Sequence, residues 1–194
     1  ILNKLKVNFV YLPRKEDIYK SKRAKKIKLD KKDKILCAKH RNGHFEGVID
    51  IMDRFTKIIK PKKIFMGEKD FQQLYLVKKF IEEKYNTKII SCKTIRDKNK
   101  FALSSRNLLL NKTALIKAGN VAKHIFSFKK KIFKKKNFKK IINDKKNEIE
   151  KLFNIKVEYF ELRNIRNFKS SNKTKDSKIF ISYYLNKVRL IDNI

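Results

Sequence analysis

The chain has 194 residues, a formal charge of +34, 41% hydrophobic residues, four glycines and two prolines. That length and apolar content suffice to bury a core and exclude a disordered chain, and the scarcity of Gly and Pro excludes low-complexity linkers. The charge points first to nucleic acid or an anionic surface. Only nine of the 53 basic residues are Arg, however, the better tool for bidentate recognition of phosphates and bases. Lys runs through the whole chain beside many Asn and Ile, the mark of an AT-rich coding bias, and no zinc-finger or RNP motif occurs. The reading is therefore no specific nucleic-acid partner, only weak binding that collapses as salt rises. No apolar run reaches the roughly 18 residues that span a bilayer, so no membrane partner is expected. Cys37 and Cys92 lack CxxC spacing and read as reduced core thiols of a cytoplasmic protein. Ile1 in place of Met reads as a chain that does not begin where its gene does.

Lys6 to Leu12 alternates and stops at Pro13, which predicts a strand. Ser21 to Lys34 is a charged connection, and Ile35 to Ala38 a short strand-like run. From Gly47 to Ile59, apolar Val48, Ile51, Met52, Phe55, Ile58 and Ile59 recur with a helical period that ends before Pro61. Lys63 to Met66 predicts a short buried strand, Asp70 onward a helix with Phe71, Leu74, Val77, Phe80 and Ile81 on one face, and Lys88 to Cys92 another strand. This alternation is α/β with a parallel sheet, whose ligands gather at the carboxyl ends of strands, where Gly67 and Ile95 fall. After Arg96, Leu108 to Phe128 and Phe138 to Phe153 look helical, joined by a charged link from Lys129 to Lys140. Val157–Leu162, Lys178–Tyr184 and Lys187–Asp192 look like strands, with a polar loop from Lys169 to Lys178. The second half reads as a small α+β domain. The division is 1–95 for the parallel domain, 96–103 for a hinge and 104–194 for the second domain.

Three segments can carry chemistry. In Gly67-Glu68-Lys69-Asp70-Phe71-Gln72-Gln73, a glycine at a strand end lets a ligand approach the backbone. The helix start behind it offers free N–H groups to phosphate, Lys69 adds a point charge, and Gln73 lies one turn on. The plainer alternative is a helix capped by Asp70, with Lys69 and the glutamines in solvent. In Leu103-Ser104-Ser105-Arg106, two hydroxyls and a guanidinium at a predicted helix start can clamp a polyphosphate, or can be an ordinary Ser cap beside a surface Arg. In His40-Arg41-Asn42-Gly43-His44-Phe45-Glu46-Gly47-Val48, two histidines lack a third ligand at metal spacing, so no metal site is expected. His44 reads as a placed polar group on a tight turn.

Together, Gly43–Val48, Phe65–Leu74 and Ala102–Asn107 resemble, in order and spacing, the signature motifs of the pantoate–β-alanine ligases (pantothenate synthetases). Val157–Glu161 and Val188–Asn193 are similar to two strands of that family's C-terminal domain, so the resemblance covers nearly the whole chain. It implies an adenylyltransferase-type Rossmann domain, incomplete at its first strands, with a smaller C-terminal lid domain. It implies ATP-dependent joining of pantoate and β-alanine to give pantothenate through a pantoyl-adenylate, with Mg2+ accompanying ATP, and a homodimer. By matching positions, Gly67, Glu68, Lys69, Asp70, Ile95, Leu103, Ser104, Ser105 and Arg106 would contact ATP and Gln73 pantoate. Lys69 and Arg106 would offset developing phosphate charge, and His44 would shape the pocket.

The sequence departs from the family in several places. The family's early H-x-G-H motif and pocket Gln have no counterpart after Ile1, and His40 to His44 has the wrong spacing. The chain by itself is thus expected not to make pantothenate. Lys93 stands where the family commonly has Pro, and Asn99-Lys100 where it has Asp-Gly. The rival readings are an adenylyltransferase of the same superfold acting on another acid, and a non-enzymatic basic binding protein.

Overall fold

The computed structural model describes residues 1–19, 27–132 and 138–194. In chain order it has α1 (Lys15–Ile18), α2 (Cys37–His40), α3 (His44–Ile59), β1 (Lys63–Gly67), α4 (Phe71–Lys84) and β2 (Lys88–Cys92). There follow α5 (Lys112–Ile132), α6 (Phe138–Phe153), β3 (Lys156–Asn164), β4 (Ser177–Leu185) and β5 (Val188–Asn193).

β1 and β2 pair in parallel, Phe65 opposite Ile90 and Gly67 opposite Cys92, with α4 as the crossover between them. The apolar stripe of α4 (Leu74, Val77, Ile81) buries against Ile89 and draws in Ile64 and Met66 from β1 and Val48 and Met52 from α3. The helical periods read in the sequence are thus the faces that pack. The other face of this pair of strands is open: Phe65 is 66% exposed. The buried strand expected at Lys63–Met66 is therefore an exposed one, with alternate residues only partly covered.

The second sheet is antiparallel, ordered β3-β4-β5. β4 and β5 are joined through Asn186 and Lys187, both at positive φ (46° and 66°), the backbone of a two-residue hairpin turn. Both faces of β4 are covered. Ile179, Ile181, Tyr183 and Leu185 face a core built with α5 and α6, while Phe180 faces a second core with Leu36, Cys37, Phe45, Leu76, Tyr159 and Phe168. That two-sided burial explains why Ile179 to Tyr183 reads as a nearly continuous apolar run rather than an alternation. The second core also locks the parallel half onto the antiparallel sheet.

Four local expectations fail for identifiable reasons. Lys6–Leu12 is not a strand: among the described residues it has no pairing partner, and Phe9 and Leu12 are 92% and 85% exposed. Ile35–Ala38 is not extended; Leu36 takes a positive φ of 46° and Cys37–His40 closes a helical turn that buries Leu36, Cys37 and Ala38. Ser104–Arg106 does not open a long helix. Ser104 caps a 3-10 turn (Ser105–Leu109), and α5 begins only at Lys112, where Asn111 Oδ1 accepts from the Ala114 amide at 2.9 Å. Cys92, expected in the core, is exposed, whereas Cys37 is buried. Part of the charged connection, 20–26, and of the Lys129–Lys140 link, 133–137, lies outside the described residues; Lys129 to Ile132 continue α5.

Candidate functional site

Between the carboxyl end of the parallel pair and the antiparallel sheet lies a cleft of about 230 Å³. Lys69, Asp70, Ser104, Ser105 and Arg106 line it, joined by Arg41 and Arg189. A smaller recess of about 30 Å³ shares Arg41, Lys69 and Asp70 with it and adds His44 and Gln73. Residues of all three predicted segments therefore meet here: Lys69 and Asp70, Ser104–Arg106 and Arg41 line the cleft, and His44 and Gln73 line the recess.

Each wall follows from local structure. Gly67 ends β1 with φ −70°, so its backbone does not require glycine; it lines neither the cleft nor the recess, although the space where a β-carbon would stand is open within 4 Å. Glu68–Asp70 forms a 3-10 turn that feeds α4, and Asp70 sits at the N-cap without a side-chain capping bond, leaving its carboxylate free toward the cleft. The nearest cation to that carboxylate is Lys69 at 3.7 Å. Gly43, at φ +75°, turns the chain into α3, so His44 opens that helix with its ring against Phe45. Two helix starts, each a positive dipole end, thus face the same space. Opposite them, Ser104 Oγ accepts the Arg106 amide at 3.3 Å, and the Arg106 guanidinium donates to the Arg189 carbonyl at 2.9 Å. Arg189 itself is held by Glu158 and donates to Cys37 Sγ at 3.3 Å.

Ile95 and Leu103 do not line the cleft; they lie side by side in a hairpin, the Leu103 amide donating to the Ile95 carbonyl at 3.0 Å. Both are exposed, 69% and 48%, and the loop they bracket carries Phe101 and Ala102 into the cleft wall, with Ser104 just beyond it. The Glu68 side chain turns away from the cleft to Lys178, at 2.7 Å. Neither glutamine is a surface residue. Gln72 is buried and donates to the carbonyls of Ile35 (2.8 Å) and Asp33 (3.2 Å), while Gln73 is half-buried against the recess.

The site is electropositive. His44 is held below the usual imidazole range, first by its own burial and then by Arg41, with Arg106 and Arg189 adding to the effect and Asp70 opposing it. Arg41 and Arg106 carry no ion pair among the described residues, so the cleft holds uncompensated positive charge suited to a polyphosphate. Sequence reasoning missed Arg41 and Arg189. One signal was present: in a chain whose basic residues are overwhelmingly Lys, three of nine Arg converge here.

The whole chain, residues 1–194, matches the family model described as pantoate-beta-alanine ligase. A pantothenate synthetase of Flavobacterium psychrophilum is 36% identical over 190 residues, covering 95% of this chain and 67% of the relative. One of Clostridium botulinum is 34% identical, covering all of this chain and 70% of the relative. Among solved structures, a pantothenate synthetase from Thermus thermophilus superposes with a TM-score of 0.88 at 20% identity, covering all of this chain and 71% of its own. A pantoate-beta-alanine ligase from Francisella tularensis, complexed with beta-gamma ATP and beta-alanine, gives 0.74 at 31% identity over all of this chain and 66% of its own. The Rossmann-like parallel half and the antiparallel C-terminal half are the architecture of these enzymes. The chain belongs to the pantoate–β-alanine ligase family, ligases that form an amide bond.

Proposed function

We propose that the cleft binds ATP between the Glu68–Asp70 turn and the Ser104–Arg106 turn, with pantoate against Gln73 in the adjoining recess. The observation that carries this is the convergence of Lys69, Arg41 and Arg106 on one cleft bounded by the turn that opens α4 and by two serine hydroxyls, with the start of α3 in the adjoining recess. The Francisella tularensis relative, complexed with beta-gamma ATP and beta-alanine, supports ATP and β-alanine as substrates of this site as well.

The reaction that fits is adenylation followed by aminolysis. A pantoate carboxylate oxygen attacks the α-phosphorus of ATP, an O–P bond forms, the α–β bridging bond breaks, and pyrophosphate leaves with the electron pair. The β-alanine amine then attacks the acyl carbon of the pantoyl-adenylate. AMP leaves, one proton is lost from nitrogen, and pantothenate results. Little covalent work falls to the protein; positioning and neutralisation of developing charge dominate. Lys69 and Arg106 oppose the charge that builds on the departing phosphates. Ser104 and Ser105 hold phosphate oxygens, and the neutral His44 bounds the acid's recess without adding charge. Mg2+ accompanying the triphosphate would find one carboxylate without a short ion pair on the cleft wall, Asp70, which suits an ion that keeps most of its ligands as water and phosphate.

The segment 96–103 acts as a hinge in this reading. Its rotation would carry Ser104–Arg106 toward and away from Lys69, admitting substrates and then excluding water from the acyl-adenylate. Ile95 and Leu103 would then bracket the adenine through their exposed apolar faces. The enzyme works as a homodimer in the cytoplasm.

Calorimetric titration of the 194-residue chain with ATP tests the site. Wild type binds, and Lys69→Ala and Arg106→Ala each weaken binding by about tenfold or more, the effect of losing one charge-assisted contact. ATP affinity unchanged in both variants overturns the assignment.

A further inference from the structure

Asn193, the last residue of β5, is buried at 3% exposure, and every polar atom of its side chain is matched. Its amide nitrogen donates to the Glu68 carbonyl at 2.7 Å and to the Lys69 carbonyl at 2.9 Å. Its amide oxygen accepts from Lys178 Nζ at 3.1 Å, and that same ammonium holds the Glu68 carboxylate at 2.7 Å and lies over the Phe71 ring. Two carbonyls on one side and an ammonium on the other leave a single consistent orientation for the amide. The Asn193 backbone carbonyl accepts from Arg96 at 2.9 Å, whose guanidinium also grips Asp192 with two bonds. One end of β5 thus holds both the turn that carries Lys69 and the start of the segment that leads to Ser104–Arg106.

We infer that Asn193 and Lys178 form a clamp that positions Lys69 for the phosphates, making them positioning residues for the reaction although neither lines the cleft and only Asn193 edges the adjoining recess. Main-chain carbonyls of a 3-10 turn have few partners inside the turn itself. Tied to a buried amide, the turn cannot rotate about its flanking residues, so Lys69 and Asp70 are presented to the cleft in one arrangement. Because the amide comes from the antiparallel sheet, the clamp also ties the Lys69 turn to that sheet. The inference rests on the ATP reading above for its consequence, though not for its geometry.

The test uses the full 194-residue chain, with Asn193→Asp and Lys178→Met as variants. Asn193→Asp keeps the size and sets a carboxylate oxygen against two carbonyls that lose their donor. Lys178→Met keeps the stem over Phe71 and removes only the ammonium. ATP with Mg2+ is titrated calorimetrically, and amide exchange is followed by mass spectrometry. Expected is a loss of ATP affinity of about tenfold for Asn193→Asp and about threefold for Lys178→Met, at a temperature where both remain folded. Exchange in the Glu68–Phe71 stretch should quicken by about tenfold while β4 keeps its protection. Folded variants with wild-type affinity and unchanged exchange in that stretch overturn the clamp. If wild type binds no ATP, the nucleotide reading fails, and exchange alone still decides the clamp. If Asn193→Asp does not fold, Lys178→Met decides.

Discussion

Arg96 is the residue whose loss should be felt most widely. It donates twice to Asp192, at 2.7 and 2.8 Å, once to the Asn193 carbonyl at 2.9 Å and once to the Lys100 carbonyl at 2.8 Å, and its guanidinium lies 5.0 Å from the Phe126 ring centroid. The side chains of Arg96 and Asp192 are 19% and 8% exposed, so water cannot replace the guanidinium freely around the carboxylate. Removing one partner of such a buried pair costs about 3–5 kcal/mol, mostly the penalty of the charge left behind. The Asn193 amide still donates to Asp192 at 2.7 Å, which puts Arg96→Met at the low end, about 3 kcal/mol. Arg96→Met/Asp192→Asn removes the stranded charge and should return to within about 1 kcal/mol of wild type. Urea unfolding followed by tyrosine fluorescence measures this, since the chain has seven Tyr and no Trp. Equal slopes would show that the denatured state is unchanged. A loss below about 1 kcal/mol for Arg96→Met, or a double variant no more stable than the single, refutes the argument that the pair's value lies in mutual neutralisation.

Other outcomes follow from the same geometry. The His44 imidazole, held down by burial and by Arg41, should titrate below pH 6.5 by NMR, and added ATP should move its midpoint upward as phosphate charge offsets the arginines; no movement on saturation would place the phosphates elsewhere. Glu68 is depressed chiefly by its bond from Lys178, so its folded value lies below its unfolded one. Its contribution to stability is therefore full above about pH 4.5 and lost as pH falls through the folded value, and Lys178→Met should flatten that part of an acid-unfolding curve. Gly119 lies within α5 where a β-carbon would stand 2.6 Å from the Asn99 β-carbon; Gly119→Ala should destabilise by about 1–2 kcal/mol despite the better helix propensity, read by thermal unfolding. Lys100 takes φ 76° in the turn after Asp97, so Lys100→Gly should raise stability by about 1 kcal/mol in the same assay.

What the sequence made legible depends on how far apart the determining residues lie. α6 and the three antiparallel strands emerge from periodicity within a few residues of their observed ends, because the buried side chains that define them are neighbours along the chain. Leu36 shows the opposite case. An apolar tetrapeptide fits a strand or a helical turn equally well, and contact with Phe45, Tyr159 and Phe180 decided for the turn. Lys6–Leu12 has the alternation of a strand, yet alternation predicts a face and not a partner, and among the described residues no neighbour exists for it to pair with. The clamp on Glu68 and the grip on Asp192 join residues about a hundred positions apart, so no local pattern announces either.

The same logic changes how the Gly67–Gln73 segment should be understood. Read as a motif, it invites every residue to touch the ligand. The structure divides its side chains between two duties. Lys69, Asp70 and Gln73 face the cleft and its recess, whereas Glu68 is committed to Lys178, and Gln72, at the edge of the recess, spends its amide nitrogen on the carbonyls of Asp33 and Ile35. A flexible lysine on a short turn cannot place its charge within a few tenths of an ångström by its own stiffness. It needs flanking residues anchored in the scaffold, one on either side of the ligand-facing pair. A substitution at Glu68 or Gln72 should therefore weaken ATP through Lys69 without removing any atom from the cleft.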